Sequence, residues 1–283
     1  MKKKLFLLVF SLLSIFGLLS FRTYLLGNCI DSFNGFFNPE YSYLRIIFAS
    51  ALAVVLVVVA VIVFSDKKLP LYPRRSSKGL AFLNILYGVF IVADSFTYLQ
   101  SFQSIWDKIN FLLLILIAVF MFYYAICLFT ANKVSLLLSL LPLAYFTYRL
   151  CYVFINSFGI IKASEVTLRI VALIFCVLFF EFYPRYISNV SFKKARSVTL
   201  FAGIGACITC AVAVLPDLIA PFIYSGAKMR LMPNESLFLC ATAIYIAAFL
   251  IVSYSKKSLY NAGEKSLYNT GENSLYNTGE TNI

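Results

Sequence analysis

The sequence contains no histidine among its 283 residues. This absence excludes Ser-His and Cys-His catalysis, imidazole-ligated metal sites and histidine proton relays. Charge is also scarce, because only 13% of the residues are Asp, Glu, Lys or Arg. No metal-ligand motif and no pair of carboxylates at one depth is found, so the sequence predicts neither an enzyme nor a bound cofactor.

Cysteine is present at seven positions, but only Cys29 lies outside an apolar segment. An extracellular disulfide framework within one chain needs at least two exposed thiols, so it is excluded. Cys207 and Cys210 have the spacing of a metal or redox motif, but no second ligand pair accompanies them. We interpret both as small packing residues.

The chain is very apolar, with 61% hydrophobic residues and a mean hydropathy of +0.88. Soluble domains are about half apolar and a quarter charged, so we predict an all-α, polytopic integral membrane helical bundle. Eight windows are long and apolar enough to span a bilayer, and together they predict one transmembrane domain over residues 1–254. The windows are 5–26, 44–64, 79–99, 111–130, 135–155, 166–183, 198–215 and 236–254.

The first window has a second interpretation, because Lys2, Lys3 and Lys4 precede it as in a secretory signal peptide. We favour a membrane anchor, since the apolar stretch continues past Phe21 and no small-residue cleavage pattern follows. Cleavage would leave seven helices with the rest of the arrangement unchanged.

Basic residues are unevenly distributed between the two sets of alternate loops. One set, which includes both termini, holds 16 Lys and Arg, and the other holds 6. Cytoplasmic loops carry the excess of positive charge, so we predict eight spans with both termini in the cytoplasm. The 29 Phe and 19 Tyr, with abundant Ile, Asn and Lys, are typical of an AT-rich genome, and we predict the plasma membrane of a bacterium. The net charge of +12 follows this pattern and forms no aromatic-interleaved patch, so no nucleic-acid partner is predicted.

Individual spans differ in character. The second is Val-rich and apolar on all sides, which predicts a lipid-facing position at the edge of the bundle. The seventh carries small residues every four positions, which predicts close helix packing. Outer loops are predicted at 27–43 and 216–235, and either is long enough to form a lid.

A polar tail at 255–283 contains three tandem octapeptides: SLYNAGEK, SLYNTGEN and SLYNTGET. Asn, Gly, Ser and Thr at these spacings favour turns, and the tail is predicted to be disordered and cytoplasmic. Two interpretations remain open, namely a tolerated expansion of a short coding repeat and a repeated docking motif for a protein partner.

Four charged residues inside predicted spans are candidates for buried charges: Asp94, Arg149, Arg169 and Glu181, whereas Arg22 and Arg45, near the ends of their windows, are counted with the loops. An ionised side chain at the bilayer centre costs roughly 2.5–3.5 kcal/mol, so such residues need partners. Glu181 can pair with Arg185, and Arg169 with a glutamate four residues earlier, near the ends of their spans. Asp94 and Arg149 each lie about 15 residues from the cytoplasmic start of their span, which predicts a similar depth.

Each of these two residues belongs to a polar stripe on one helix face. The stripes comprise Asn84, Tyr87, Asp94 and Tyr98 on the third span, and Tyr145, Arg149, Tyr152 and Asn156 on the fifth. Pro142 is predicted to bend the fifth span below its stripe. Stripes of this kind should face inward, where they either form a buried structural ion pair or line a polar cavity.

The functional hypothesis is a transporter, or the substrate-binding membrane component of one, for a small anionic or polar solute. Its predicted ligand-binding residues are Arg149, Asp94, Tyr145, Tyr152, Asn84 and Arg169. Arginine is suited to carboxylates and phosphates because its planar fork binds them through two hydrogen bonds. The alternative is a membrane sensor, scaffold or assembly partner that docks through the tail.

Overall fold

The computed structural model describes residues 2–30, 38–65, 77–99, 105–156, 164–187, 193–224 and 233–254. These residues form α-helices and short 3₁₀ helices and no strand, which confirms the all-α prediction for this part of the chain. The helices are α1 (Lys2–Asn28), α2 (Ser42–Ser65), α3 (Lys78–Leu99), α4 (Ile105–Thr130), α5 (Leu141–Asn156), α6 (Ser164–Ile187), α7 (Lys193–Ile223) and α8 (Pro233–Tyr254). The tail at 255–283 lies outside the described residues.

Seven of the described helices are long and apolar enough to cross a membrane by length and composition. In α8 the apolar stretch over the described side chains, Leu237–Ser253, is shorter. The structure therefore shows a helical bundle with the composition of a membrane protein.

Helix α7 is longer than its apolar window, because it continues to Ile223. The predicted loop at 216–235 is therefore wrong over its first eight residues, and Pro216 and Pro221 lie inside the helix. A proline removes one backbone hydrogen bond, but a membrane helix held by neighbouring helices tolerates the loss. α7 has such support, since it packs against α1, α2, α6 and α8.

The predicted bend at Pro142 is also wrong. Helix α5 begins at Leu141, directly after the 3₁₀ turn Leu138–Leu140, so Pro142 is the second helical residue. Proline is favoured in the first helical turn, where its missing N–H has no intrahelical partner in any case.

Six helices close into a ring. α3 packs on α4, α4 on α5, α5 on α6, α6 on α7, α7 on α8, and α8 returns to α3. Neighbours in the ring run antiparallel, as the contacts of Tyr87 with Thr242 and of Cys207 with the carbonyl of Ala243 illustrate. We call the end where α3, α5 and α7 begin the base, and the opposite end the top.

Helices α1 and α2 pack outside the ring, mainly against α7 and each other. α2 exposes its Ile46, Val54 and Val57 side chains by 68%, 61% and 61%. The prediction that the second helix lies at the edge of the bundle is thus confirmed.

The small residues of α7 allow close packing, as predicted. Ala202, Ala206 and Cys210 are fully buried. A Cβ atom on Gly205 would overlap the Phe175 ring of α6, and one on Gly203 would lie 2.9 Å from a methyl group of Leu250 in α8. The absence of side chains at these two glycines therefore sets how closely α6 and α8 approach α7.

Candidate functional site in the helix ring

Aromatic side chains fill the base half of the ring. The fully buried ones include Phe120, Tyr145, Phe146, Phe179, Phe180, Tyr183, Tyr245 and Phe249. The centroids of neighbouring rings lie between 4.8 Å, for Phe146 and Phe180, and 6.4 Å, for Tyr245 and Phe249. Such stacked and edge-to-face pairs add to the stability that burial provides.

A hydrogen-bond network centred on Tyr245 runs through this aromatic core. The Tyr245 hydroxyl donates to Asn84 Oδ1 at 3.0 Å, and it lies 2.8 Å from the Tyr183 hydroxyl. A phenol has one hydrogen to donate, so Tyr183 is the donor in the second bond. The Asn84 amide nitrogen donates to the Leu80 carbonyl at 2.7 Å, so both ends of the Asn84 side chain are satisfied.

A second bond strengthens the same junction of α3 and α8. The hydroxyls of Tyr87 and Thr242 lie 2.9 Å apart, and Thr242 donates its own hydrogen to the Phe238 carbonyl. Tyr87 is therefore the donor, and its ring stacks on that of Tyr245 at 4.5 Å. Polar groups in the base half are thus used in fixing α3, α6 and α8 to one another.

We expect Tyr245→Phe to lower the free energy of unfolding by about 1–2 kcal/mol, because it removes the donor to Asn84 and the acceptor of Tyr183. Thermal unfolding of the purified protein measures the effect. Tyr24→Phe is the control, since Tyr24 is 49% exposed on α1. Equal losses in the two variants would contradict a stabilising network.

Among the described side chains, buried charges are confined to the top half. Four charged residues are buried among the side chains that the structure describes: Arg22, Asp94, Arg149 and Asp217. Each lies five to seven residues from the top end of its helix, which is at most about 10 Å along the axis. The bundle therefore has a closed aromatic base and a polar top.

Asp94 and Arg149 are both 7% exposed, on helices that flank α4. The heights of Asp94 and Arg149 along the bundle axis can be compared by finding the position of α8 that lies opposite each of them. Tyr87 bonds to Thr242, so Asp94, seven residues further along α3, lies opposite position 235. The register of α5 follows from its own ring contacts with α8.

The ring of Tyr145 lies 5.4 Å from that of Phe238. Arg149, four residues further along α5, therefore lies opposite position 234, at the level of Asp94. On α4 the two residues are further apart: Gly88 packs against Met121, which places Asp94 opposite position 115.

On the same helix, Tyr148 donates to the Trp106 carbonyl at 2.7 Å, which places Arg149 opposite about position 105. The opposite positions on α8 give an axial offset of about zero between Asp94 and Arg149, whereas those on α4 give an offset of about 15 Å. Helices that are inclined to one another produce such a difference between the two values.

Arg149 lies beside an aromatic cluster formed by Trp106, Tyr148 and Tyr152. Its guanidinium carbon is 5.4 Å from the centroid of the Tyr152 ring. The three ring centroids are 6.0–6.3 Å apart, so the rings pack on one another. This cluster orients Arg149 by a cation–π contact.

Asn110 is the most unusual polar residue of this region. It is 2% exposed, and neither its amide nitrogen nor its amide oxygen has a hydrogen-bond partner among the described residues. It lies on the buried stripe of α4 with Leu114, Ile117 and Tyr124. Because the Tyr124 ring meets Tyr183 of α6 across the ring, this stripe faces the interior.

A second set of buried charges lies outside the ring, between α1 and α7. Arg22 is 2% exposed and Asp217 is 3% exposed. A Cβ atom on Gly27 would meet the Tyr224 ring, so each residue of α1 lies beside the residue of α7 whose number is 197 higher. Arg22 therefore lies opposite position 219, half a turn from Asp217.

The structure divides the six residues predicted to bind a ligand. Asn84 belongs to the hydrogen-bond network of the base, and Tyr145 packs in the aromatic core against Phe146 and Phe238. Arg149, Tyr152 and Asp94 lie in the top half, and Arg169 is half-buried near the top end of α6.

Sequence reasoning did not single out Asn110 or the couple of Arg22 and Asp217. Arg22 and Asp217 were placed at or beyond the ends of their spans, and Asn110 lay just before the start of the fourth window. A polar residue at the i−4 position of an apolar helical stripe is the signal that could have found Asn110.

The cysteines do not form a metal centre. The thiols of Cys176 and Cys210 are 3.7 Å apart between α6 and α7, whereas the thiol of Cys207 points to the Ala243 carbonyl of α8. The Cys-x-x-Cys thiols therefore diverge. Among the described residues, no group of three or more Cys, Asp or Glu is arranged to hold a metal ion.

The chain matches no protein-family model, no curated protein and no solved structure.

Proposed function

We propose that this chain is a bacterial plasma-membrane protein that crosses the bilayer eight times with both termini in the cytoplasm. Two features support this: the long apolar helices, and the exposed apolar side chains such as Val119 and Ile244, each about 60% exposed. Soluble monomers rarely expose large contiguous apolar surfaces. The charge asymmetry of the loops then places the base of the ring at the cytoplasmic side and the top outside.

Reporter fusions test this topology. We expect green fluorescent protein to be fluorescent when fused after residues 70, 190 and 283. Alkaline phosphatase should be active when fused after residues 34, 102, 160 and 228, because these loops carry the smaller share of Lys and Arg. A loop that gives the opposite pair of signals would contradict the eight-span arrangement.

We further propose that the top of the ring binds a small anionic or polar solute from the outer side, as a transporter or the substrate-binding component of one. The observation that carries this proposal is that every charge buried among the described side chains lies in the top half, above a base that aromatic rings and satisfied hydrogen bonds close. Buried ionisable residues in membrane helices usually mark ligand or ion pathways.

Each residue of the proposed site has a distinct role. Arg149 presents its guanidinium fork to an anionic group, and the stacked Tyr152 ring holds the fork in position. Asp94 balances the charge of Arg149 when the site is empty. The closed base keeps the bound solute from passing directly through, so this arrangement corresponds to an outward-facing state.

Ligand-dependent thermal stability tests the site. Buried thiols such as those of Cys176 and Cys210 should react with a fluorogenic maleimide only after unfolding, so they report the midpoint once the exposed Cys151 and the half-buried Cys207 and Cys240 are changed to Ser. We expect succinate, inorganic phosphate or glycine at 10 mM to raise the midpoint by several degrees. Arg149→Gln should abolish the response.

Arg185→Gln is the matched control for this test. Arg185 also lies over an aromatic ring, that of Phe182 at 5.5 Å, but it is exposed and belongs to the base. The control should respond as the wild type does. If no solute shifts the wild-type midpoint, or if both variants respond alike, the binding function is refuted.

The tandem octapeptides favour the second function, a membrane scaffold or sensor with a docking tail. Deletion of residues 255–283 separates the two functions. Loss of partner capture with an unchanged solute response would favour docking as an additional role. If partner capture and the solute response are both unchanged, the tail takes part in neither.

A further inference from the structure

Helix α7 changes its surroundings at Pro216, which lies inside the helix. On the base side of this residue, Ala202, Ala206 and Cys210 are fully buried, and the thiol of Cys210 lies 3.7 Å from that of Cys176 on α6. The lower part of α7 is therefore held closely by the ring. Pro216 removes one backbone hydrogen bond just above this part, and prolines are the usual positions at which helices bend.

Above Pro216, helix α7 rises past its neighbour α8. The thiol of Cys207 contacts the Ala243 carbonyl, and the two helices run antiparallel. Pro233, the first residue of α8, therefore lies opposite about position 217. The α7 residues that follow lie above the described part of α8, so this neighbour does not hold them.

The last two turns of α7 pack on α1 instead. Asp217 and Ala220 are 3% and 2% exposed, and they share one helix face with Tyr224. The Tyr224 ring occupies the space that a Cβ atom on Gly27 of α1 would need. Arg22 of α1 is buried near the level of Asp217, so the same interface also contains two opposite charges. The top of α7 is therefore attached to the top of α1.

Helix α1 has a weak point of its own at nearly the same level. Gly17 lies beside position 214 of α7, which is two residues, or about 3 Å along the axis, from Pro216. A Cβ atom on Gly17 would meet nothing within 4 Å, so close packing does not require a glycine there. Glycine is a poor helix former and bends more easily than alanine. Both helices can thus bend at one level.

The exposed side of the α7 segment is turned toward the ring. Phe222 and Ile223 are 91% and 61% exposed, and at 100° per residue they lie on the face opposite the one that packs on α1. Because α1 lies outside the ring, the opposite face of α7 is on the side of the ring. The segment therefore has space to tilt in that direction.

We propose that the ends of α1 and α7, residues 22–28 and 217–224, form one flap that is hinged at Gly17 and Pro216 and tilts over the top of the ring. The inference rests on the proposed binding function, because the flap would cover the bound solute and shield it from water. Lids that close over ligands move about hinges of a few residues in the same way. The raised position of the flap in this structure corresponds to the outward-facing state.

Distances between spin labels test the hinge without any ligand. The labels are attached to cysteines that replace exposed side chains at the top: Tyr24 of α1, Ile223 of α7, Ile105 of α4 and Leu237 of α8. The full-length background carries serine at the exposed and half-buried cysteines, which are Cys151, Cys207 and Cys240. Double electron–electron resonance should give distributions for Tyr24 to Ile105 and for Ile223 to Ile105 that are about twice as wide as for the ring pair Ile105 to Leu237.

Alanine variants test which residues form the hinge. Pro216→Ala combined with Gly17→Ala removes both weak points, so both wide distributions should narrow to the width of the ring pair. Pro142→Ala is the matched control, because Pro142 lies in the first turn of α5, where a proline costs the helix no hydrogen bond. The control should keep the wild-type widths.

Three results would overturn the flap. Equal widths for all label pairs in the wild type would mean that nothing tilts. A wide distribution from Ile223 beside a narrow one from Tyr24 would mean that the end of α7 moves alone. Unchanged widths in the variant that combines Pro216→Ala with Gly17→Ala would mean that the motion has another origin.

The same label pairs show whether the flap covers the site. Succinate, inorganic phosphate and glycine are the probes, as in the thermal test, and the solute that raises the midpoint should also shorten both distances from the flap to Ile105. A raised midpoint with unchanged distances would overturn the covering role and leave the solute-binding function standing. If no solute raises the midpoint, the binding function and the covering role are both refuted, whereas the widths in the alanine variants still decide whether the hinge exists.

Discussion

Gly205→Ala is expected to lower the free energy of unfolding by about 2–3 kcal/mol, the upper part of the range for overpacked cores. The added methyl group would overlap the ring of Phe175, and a ring cannot move aside as the end of a flexible chain can. The helices α6 and α7 would have to separate or Phe175 would have to leave its position. Thermal unfolding and the yield of monodisperse protein in detergent measure the loss.

Two further glycines give a graded control series. Gly203→Ala should cost less, because the nearest atom is a methyl group of Leu250, which can change rotamer. Gly17→Ala should be neutral or slightly stabilising, since nothing lies within 4 Å of the new methyl group and alanine favours a helix more than glycine does. Equal effects at Gly205 and Gly17 would contradict the close packing of α6 on α7.

Rescue by a second substitution tests the cause of the loss. Phe175→Leu removes the ring that the Gly205→Ala methyl group would meet, so the double variant should recover part of the stability that the single alanine variant loses. Non-additivity of this kind is expected only for residues in contact. Independent effects of the two substitutions would mean that the glycine matters for backbone conformation instead.

Local composition was sufficient to predict the features of the fold that depend on one helix at a time. Apolar length predicted the helices, Val-rich composition predicted the edge position of α2, and small residues predicted the packed interface of α7. The bounds of α7 were not predictable in this way, because Pro216 and Asp217 resemble a loop locally. Only the surrounding helices make the helical conformation favourable there.

The candidate site depended on contacts between helices, and the sequence predicted it only in part. Helical periodicity placed Asp94 and Asn84 on one stripe of α3. It could not show that Asn84 would be bonded to Tyr245, 161 residues away. The two residues therefore have different surroundings, one in the closed base and the other in the charged top.

Two couples of buried, oppositely charged residues can be compared: Asp94 and Arg149 inside the ring, and Arg22 and Asp217 outside it. Both couples are buried, each consists of one arginine and one aspartate, and both lie near the top ends of their helices. The guanidinium carbon of Arg22 lies 5.9 Å from the Phe48 ring, much as that of Arg149 lies over Tyr152. Among the described residues, an amide whose donor and acceptor both lack a hydrogen-bond partner, that of Asn110, lies on the ring helix α4.

Neutralising either member of a couple is expected to be the most damaging polar substitution. Asp94→Asn or Arg149→Gln should each lower the free energy of unfolding by about 3–5 kcal/mol, because the remaining buried charge loses its compensation. Asp217→Asn should cost a similar amount. Thermal midpoints of the four single variants, with Arg22→Gln as the fourth, measure the losses.

Exchange of the two charges then distinguishes their roles. The double variant Asp94→Arg with Arg149→Asp should regain most of the stability, because opposite charges again lie on α3 and α5. It should not regain the response to ligand, since the guanidinium would leave the Tyr152 ring and approach the ligand from α3. Ligand binding depends on the position of each charge, whereas the attraction within an ion pair stays the same when its two charges are exchanged. If the exchanged protein is both stable and fully responsive, the couple inside the ring is structural and the ligand site lies elsewhere.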